Sequence, residues 1–244
     1  MVSKTGVVLS IDLAHKHYRD LGMVYIPARG RKVRVLKPES LGLSGSPKPK
    51  TLASALASFC DDEGVRALLL DGPQGWRFPD SQIEHMRLSE RVLNTPGKTG
   101  NPGSVKPRTY LGYIQFSIDL FSSLRLDHGW ELLTRDWPER AETRWLIESF
   151  PSAAWRTLGL NKLPAKSKTT TAQLEAWSRD LELITGMNLP PQLTHDELQA
   201  AVVLPVGRAI VKNQPGKVLL SGADPIITNQ GIVLEGWIPC PLNR

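Results

Sequence analysis

Acidic side chains follow three of the most apolar stretches of this sequence. They are Asp12, Asp71 and Glu148, and each stands where a run of largely aliphatic residues ends. Ligand sites in open α/β sheets gather beyond the carboxyl ends of the strands, because the loops there direct several side chains into one crevice. Carboxylates that converge in this way repel one another unless cations lie between them. The three residues together therefore predict a site for Mg²⁺ or Mn²⁺, which prefer oxygen ligands.

Any one of these carboxylates taken alone is more simply explained as a solvated turn or cap residue, so the prediction rests on the set of three. Asp196 is different, since it stands in the first turn of a predicted helix that begins near Thr194. Thr194 and Glu197 have the spacing of a capping box. An acid in the first turn is stabilised by the helix dipole and by free amides. From the residues alone, Asp196 is a structural residue.

The pattern of apolar residues predicts the elements that position these carboxylates. Strands are predicted at residues 6–14, 21–28, 32–36, 65–70 and 145–147, and the first three form an antiparallel meander with a turn at Arg29-Gly30-Arg31. Helices are predicted at 51–61, 81–93, 110–126, 152–158, 171–185 and 194–211, the last of them kinked at Pro205. Residues 94–106 are predicted to be a loop, and residues 218–238 to form two short strands around Asn229-Gln230-Gly231.

The composition is that of an ordinary globular protein, with 244 residues of which 41% are hydrophobic and 22% charged. This length favours a single domain over residues 1–244. Cys60 and Cys240 lie far apart and outside any CxxC pair, which argues against a zinc knuckle or a disulfide framework. The first apolar run, at residues 7–11, is too short for a signal-peptide core or a membrane helix. We therefore expect a cytoplasmic protein without a membrane partner.

The formal net charge of +6 favours a polyanionic partner such as nucleic acid. The basic residues include two clusters, one on the predicted hairpin and one before the helix at 171–185. The first comprises Arg29, Arg31, Lys32, Arg34 and Lys37, and the second comprises Lys162, Lys166 and Lys168. Clusters of this kind neutralise phosphates and follow a nucleic-acid backbone. Solvated side chains that protect a strand edge are an equally simple explanation.

Five short motifs occur in the order and spacing of a known family. They are Ser10-Ile11-Asp12-Leu13-Ala14, Leu70-Asp71-Gly72-Pro73-Gln74-Gly75, Arg87-Leu88-Ser89-Glu90, Ile147-Glu148-Ser149-Phe150-Pro151-Ser152-Ala153-Ala154-Trp155 and Thr194-His195-Asp196-Glu197. With these motifs the sequence resembles a bacterial and archaeal family of uncharacterised proteins predicted to be RNase H-like nucleases. The resemblance covers most of the chain, and its specificity comes from the number and order of the motifs.

The resemblance implies an α/β fold with an RNase H-like mixed sheet, flanked by helices and followed by a C-terminal β-hairpin. It places Asp12 on the central strand and groups Asp71, Glu148 and Asp196 around it as metal ligands and catalytic residues. In RNase H-like enzymes two metal ions about 3.5–4 Å apart activate water and stabilise the leaving oxygen during hydrolysis of a phosphodiester in DNA or RNA. By that template Asp12 binds both ions, and each of the other carboxylates binds one.

Three accessory residues and one departure accompany this template. Arg87 and Glu90 lie one helical turn apart, so an ion pair is the simplest interpretation, and the resemblance favours a role at the substrate. His195 is a candidate for proton transfer or for holding the leaving group, although a histidine at a helix start is more often a surface residue. The family often carries a second aspartate three residues after the position of Asp196. Here that position is Gln199, a weaker metal ligand.

Gln199 favours a second interpretation, a non-catalytic module of the same fold that binds nucleic acid or a protein partner. A third interpretation is a phosphotransferase of the sugar-kinase and actin type, which shares the core sheet. Such proteins place glycine-rich phosphate loops after their acidic strands, and none is evident in this sequence. Fold alone does not decide among the three classes.

Overall fold

A computed structural model describes residues 6–140 and 142–242 of the chain. The strands in chain order are β1 (Val7–Asp12), β2 (Gly22–Pro27), β3 (Arg34–Val35), β4 (Val65–Asp71), β5 (Lys98–Thr99), β6 (Val105–Lys106), β7 (Glu131–Leu132), β8 (Trp145–Ser149), β9 (Val218–Gly222), β10 (Ile226–Ile227), β11 (Val233–Leu234) and β12 (Trp237–Pro241). The α-helices are α1 (Pro49–Glu63), α2 (Leu88–Leu93), α3 (Leu111–His128), α4 (Pro151–Thr157), α5 (Thr171–Thr185), α6 (His195–Val202) and α7 (Leu204–Val211).

A six-stranded mixed sheet, in the order β3-β2-β1-β4-β8-β7, lies at the centre of the fold. Strands β1, β2 and β3 pair antiparallel, whereas β4, β8 and β7 continue the sheet in parallel with β1. The predicted α/β class, with an antiparallel meander joined to parallel strands, is therefore confirmed. Parallel β1 and β4 end at the same edge of the sheet, and this places Asp12 and Asp71 side by side.

Helices cover both faces of the sheet, because its strands are apolar on both sides. On one face Val8 and Leu69 pack in a hydrophobic cluster with residues of α6 and α7. On the other face Leu9 and Leu68 pack in a second cluster with residues of α1 and α3. Successive strand residues point to alternate faces, so the register of each strand decides which cluster a side chain joins.

Two predicted helices differ from those observed. The predicted helix at 81–93 is reduced to α2, which begins after Arg87; residues 82–86 form bends and turns. The predicted helix at 194–211 is divided into α6 and α7 at Val203. Pro205 lies in the first turn of α7, where proline's missing N–H has no helical partner to lose. Proline therefore begins a new helix here instead of kinking a continuous one.

The C-terminal segment forms two nested hairpins around the predicted turn. Strands β10 and β11 pair next to this turn, and β9 and β12 pair outside them. The amide of Gly231 donates to the carbonyl of Thr228 and closes the turn. The predicted loop at 94–106 holds a further short hairpin, formed by β5 and β6. Within the described residues, every helix is too short or too polar to cross a membrane.

Candidate functional site

Asp12 and Asp71 occupy adjacent positions at the carboxyl ends of β1 and β4. They are direct partners in the parallel register, so their side chains leave the same face of the sheet. Both residues are partly buried, and their carboxyl groups are close enough to interact by a hydrogen bond. Two carboxyl groups at such a separation cannot both ionise without cost.

The two groups change each other's acidity. Burial raises the pKa of Asp12 well above its usual value, and the neighbouring charge of Asp71 raises it further. Burial also raises the pKa of Asp71 to about 7; the hydrogen bond with Asp12 opposes this rise and the charge of Glu148 adds to it. Without a cation between them, the pair retains a shared proton near neutral pH. A divalent ion would replace that proton.

Helix α6 brings a third carboxylate to this edge. Gly22 is the β2 partner of Asp12, and a Cβ atom on Gly22 would lie 2.1 Å from the backbone carbonyl carbon of Asp196. Only a residue without a side chain allows the start of α6 to lie so close to the sheet. The predicted capping box fixes that start, since Thr194 and Glu197 exchange side-chain to backbone hydrogen bonds. The charge of Asp196 also raises the pKa of Asp12.

Asp196 is itself paired with cations. Lys166 Nζ donates to its Oδ2 atom and lies 3.9 Å from Asp20 Oδ1. His195 Nδ1 lies 3.2 Å from Asp196 Oδ1, and His195 Nε2 lies 3.0 Å from the carbonyl of Pro164. Burial disfavours the ionised carboxylate, but the hydrogen bonds from His195 and Lys166 outweigh it and lower the pKa of Asp196. The hydrogen bond with Asp196 in turn raises the pKa of His195.

Glu148 is offset by one residue from the two aspartates in the strand register. In the register of β4 and β8, Leu70 pairs with Glu148 and Asp71 pairs with Ser149. Alternation along the strand therefore directs the Glu148 side chain to the opposite face from that of Asp71. The sequence prediction of one converging acidic group did not anticipate this offset.

A buried arginine binds Glu148 with two hydrogen bonds. Arg87 Nη1 and Nη2 lie 2.7 and 2.6 Å from the two carboxylate oxygens, and the amide of Gln74 lies 3.0 Å from one of them. Arg87 Nε also donates to Glu90 Oε1 at 3.1 Å and to Thr99 Oγ1 at 2.8 Å. Arg87 and Glu90 thus form the ion pair that their spacing predicts, within a network that leaves Arg87 1% exposed.

Electrostatics within this network favour a charged arginine. Burial disfavours the guanidinium ion, but the carboxylates of Glu148 and Glu90 outweigh this penalty and raise the pKa of Arg87. Burial likewise raises the pKa of Glu148, and the guanidinium of Arg87 opposes that rise. Both oxygens of Glu148 are occupied by protein donors, so this carboxylate is held as part of the buried framework.

Ser149 is a residue of this site that the sequence prediction missed. It continues the row of Asp12 and Asp71 across β8, and its buried hydroxyl finds no hydrogen-bond partner among the described residues. Ser149 also lines a cavity of about 190 Å³ beside Asp71, together with Tyr110, Phe150 and other residues. The register of β4 and β8 places Ser149 in this row. Its position in the sequence, directly after Glu148, does not reveal that register.

The predicted basic residues lie in two different places. Arg29, Arg31 and Lys32 are exposed in and just after the β2–β3 turn, near the start of β1. Five strand residues, or about 16 Å, separate the start of β1 from Asp12. Arg34 lies on the edge strand β3, with its guanidinium 5.9 Å from the centre of the Tyr25 ring.

The second basic cluster lies closer to the carboxylates. Lys166 contacts Asp196, as described above, and Lys168 is exposed within the same short 3₁₀ helix. Lys37, from the first cluster, is also near the start of α6, with its Nζ atom 2.5 Å from Glu197 Oε1. The cations next to the candidate site are therefore lysines from two separate segments.

Gln199 is occupied as well. Its Oε1 atom accepts a hydrogen bond of 2.8 Å from the indole nitrogen of Trp155. Within residues 6–140 and 142–242, no group of three or more His, Cys, Asp and Glu side chains is arranged to hold a metal ion. The arrangement offers one directly interacting pair of carboxylates, with Asp196 nearby but bound to Lys166 and His195.

Comparisons with family models, curated proteins and solved structures find no match to this chain. The family resemblance stays a prediction from the five motifs.

Proposed function

We propose that this protein is a metal-dependent nuclease that hydrolyses phosphodiester bonds in DNA or RNA. The observation that carries the proposal is the pairing of Asp12 with Asp71, whose carboxyl groups share one edge of the sheet and whose pKa values are both raised, chiefly by burial. Like charges held together in a partly buried place are costly unless a cation binds them. Perturbed acids of this kind are concentrated at functional sites.

The topology supports the RNase H-like interpretation. An antiparallel meander leads into parallel strands, and Asp12 ends a strand in the interior of the sheet. This is the arrangement that the resemblance implies for the central strand and its aspartate. Asp71 ends the neighbouring strand, and Asp196 approaches from the helix that packs over this face.

The chemistry of the donors fits Mg²⁺ or Mn²⁺. Mg²⁺ is commonly bound by one or two carboxylates, with water and substrate phosphates as its other ligands. Asp12 and Asp71 would supply those carboxylates, and Asp196 would join them only after exchanging Lys166. When bound, such an ion activates water and polarises the phosphoryl group.

The protein's own side chains provide the remaining functions. Lys166 and Lys37 place positive charge beside the start of α6, where a substrate phosphate would approach. His195 holds Asp196 with one ring nitrogen and contacts a backbone carbonyl with the other, so its role is to position Asp196. Arg87 fixes Glu148 and the strand end beneath the site.

Two contacts favour the alternative, a non-catalytic module that binds nucleic acid or a protein partner. Arg87 occupies both oxygens of Glu148, and Trp155 binds Gln199. Two of the positions that the family template assigns to metal ligands are therefore engaged in contacts within the protein. A module of this kind would use the same surface for binding without cleavage.

Cleavage assays separate the two functions. The purified protein should cleave at least one of single- or double-stranded DNA or RNA in the presence of Mg²⁺ or Mn²⁺, and EDTA should stop the reaction. Asp12→Asn should abolish cleavage, because asparagine keeps the shape of the side chain and removes its charge. The matched control is Asp62→Asn, an exposed acid on α1, which should cleave like the wild type. Binding without cleavage of any polymer would favour the module.

A further inference from the structure

A second cluster of cations lies near the end of the sheet opposite to Asp12. Helix α7 runs along β1 and β4 and ends at Val211, followed directly by Lys212. Arg208, one turn earlier, donates from Nε to the carbonyl of Ala28 at 3.2 Å and from Nη2 to that of Gly30 at 2.8 Å. These bonds hold the β2–β3 turn, with its exposed Arg29 and Arg31, against the end of α7.

A cavity of about 270 Å³ opens beside this cluster. Its polar lining includes Arg208, Lys212 and Lys217, together with Thr185 and Gln214. Among the residues that the structure describes, no acidic residue lines this cavity. A second cavity of about 430 Å³ shares Lys212 and Gln214 with the first and extends to Arg29; Glu142, the acidic residue in its lining, is paired with Arg66. The positive charges therefore follow an extended path from Lys217 to Arg29.

The cations of this path repel one another. Burial lowers the pKa of Lys212, and the charges of Arg208, Lys217 and Arg29 lower it further. Burial also lowers the pKa of Arg208, and Arg31 adds to this effect. Within the described residues, none of these five side chains forms an ion pair with a carboxylate, so their mutual repulsion is not relieved inside the protein.

We propose that this surface, defined by Arg29, Arg31, Arg208, Lys212 and Lys217, binds the phosphate groups of a nucleic-acid backbone at a place separate from the carboxylates. Phosphate is the ligand that complements clustered, unpaired arginine and lysine side chains. The path spans two adjoining cavities, so it fits successive phosphates of a polymer better than one small anion. The proposal extends the proposed function and rests on it for the class of polymer.

The test measures binding without cleavage. A fluorescent single-stranded oligonucleotide is titrated with protein in EDTA at several salt concentrations, using the wild type and Lys212→Gln/Lys217→Gln. The double variant should bind more weakly, and the slope of log Kobs against log salt should decrease in magnitude by about 1.4, since each phosphate contact to a single strand contributes roughly 0.7. Both lysines are exposed, so the fold should survive the change.

The matched control is Lys48→Gln/Lys50→Gln, which removes the same charge from the start of α1. Those lysines border a cavity that also holds Asp119 and Asp127, and the control should keep the wild-type slope. Equal slopes for all three proteins would overturn the proposal. The cations would then serve only to stabilise the C-terminal end of the α7 dipole.

Inorganic phosphate tests the source of the ligand at constant ionic strength. If the surface binds a polymer, millimolar phosphate should not displace the oligonucleotide from the wild type. Displacement would assign the cavity to a small phosphate and overturn the polymer assignment. If the double variant keeps the wild-type slope while the wild type cleaves nucleic acid, this surface alone is refuted and the proposed function stays intact.

Discussion

At one edge of the sheet, the carboxylates on the two faces are held in opposite ways. Glu148 is buried and fully paired, with Arg87 bonded to both of its oxygens. Asp12 and Asp71 lie side by side; burial raises the pKa of each, and the charge of Asp71 raises that of Asp12 further. The same functional group at neighbouring strand ends therefore belongs to a closed structural network in one case and to a closely spaced pair of acids in the other. An uncompensated pair is the better candidate for an external cation.

The strongest way to break this contrast is to remove the buried arginine. Arg87→Met should lower the free energy of unfolding by about 3–5 kcal/mol, because Glu148 and Glu90 would be buried without their counterion. Urea denaturation measures the change. The control is Arg91→Met, an exposed position on the same helix, with an expected change below about 0.5 kcal/mol. A loss below 1 kcal/mol for Arg87→Met would show that the network is not structural.

Neutralising one aspartate of the pair should change the free energy of unfolding in the opposite direction, towards greater stability. In EDTA at pH 8, Asp71→Asn should raise the free energy of unfolding by about 1–3 kcal/mol, since a neutral amide replaces a carboxylate whose ionised form is disfavoured by burial and by the charge of Glu148. Glu148→Gln, which removes a paired charge, should destabilise the protein under the same conditions. If both substitutions destabilise equally, the two sides of the edge do not differ in the way described.

The pH dependence of stability sharpens the same contrast. The pKa of Asp71 is about 7 in the folded protein, above its ordinary value, so the native state keeps a proton that the unfolded chain has released. Stability attributable to this group is present at low pH and is lost as pH rises from about 4 to about 7. The melting temperature in EDTA should decrease across this range. Asp12→Asn/Asp71→Asn should reduce that decrease, and an unchanged profile would contradict the assignment.

The sequence was sufficient to find the strand-end acids and most of the elements. Unbroken apolar runs predict buried strands because both faces of the sheet are covered, and Asp12 and Asp71 end those runs. The capping box at Thr194 predicts where α6 starts, and α5 begins and ends where its periodicity predicts. These features are local, so neighbouring residues determine them.

Features that depend on distant partners were not predictable. A shift of one residue in strand register reverses the face of a side chain, and this separates Glu148 from Asp71. The bidentate contact of Arg87 joins residues 61 positions apart. The hairpin charges Arg29 and Arg31 fall near the opposite end of the sheet from the acids because β2 runs antiparallel to β1. Sequence spacing reveals none of these three features.

Metal binding by the aspartate pair can be measured directly from thermal stability. The melting temperatures of wild type, Asp12→Asn and the control Asp62→Asn are measured by calorimetry as Mg²⁺ or Mn²⁺ is added. A ligand bound only by the native state stabilises it by about 2.7 kcal/mol at one hundred times its Kd. We expect metal to raise the melting temperature of wild type and Asp62→Asn and to leave that of Asp12→Asn nearly unchanged. No shift in any protein, or the same shift in all three, would contradict this expectation.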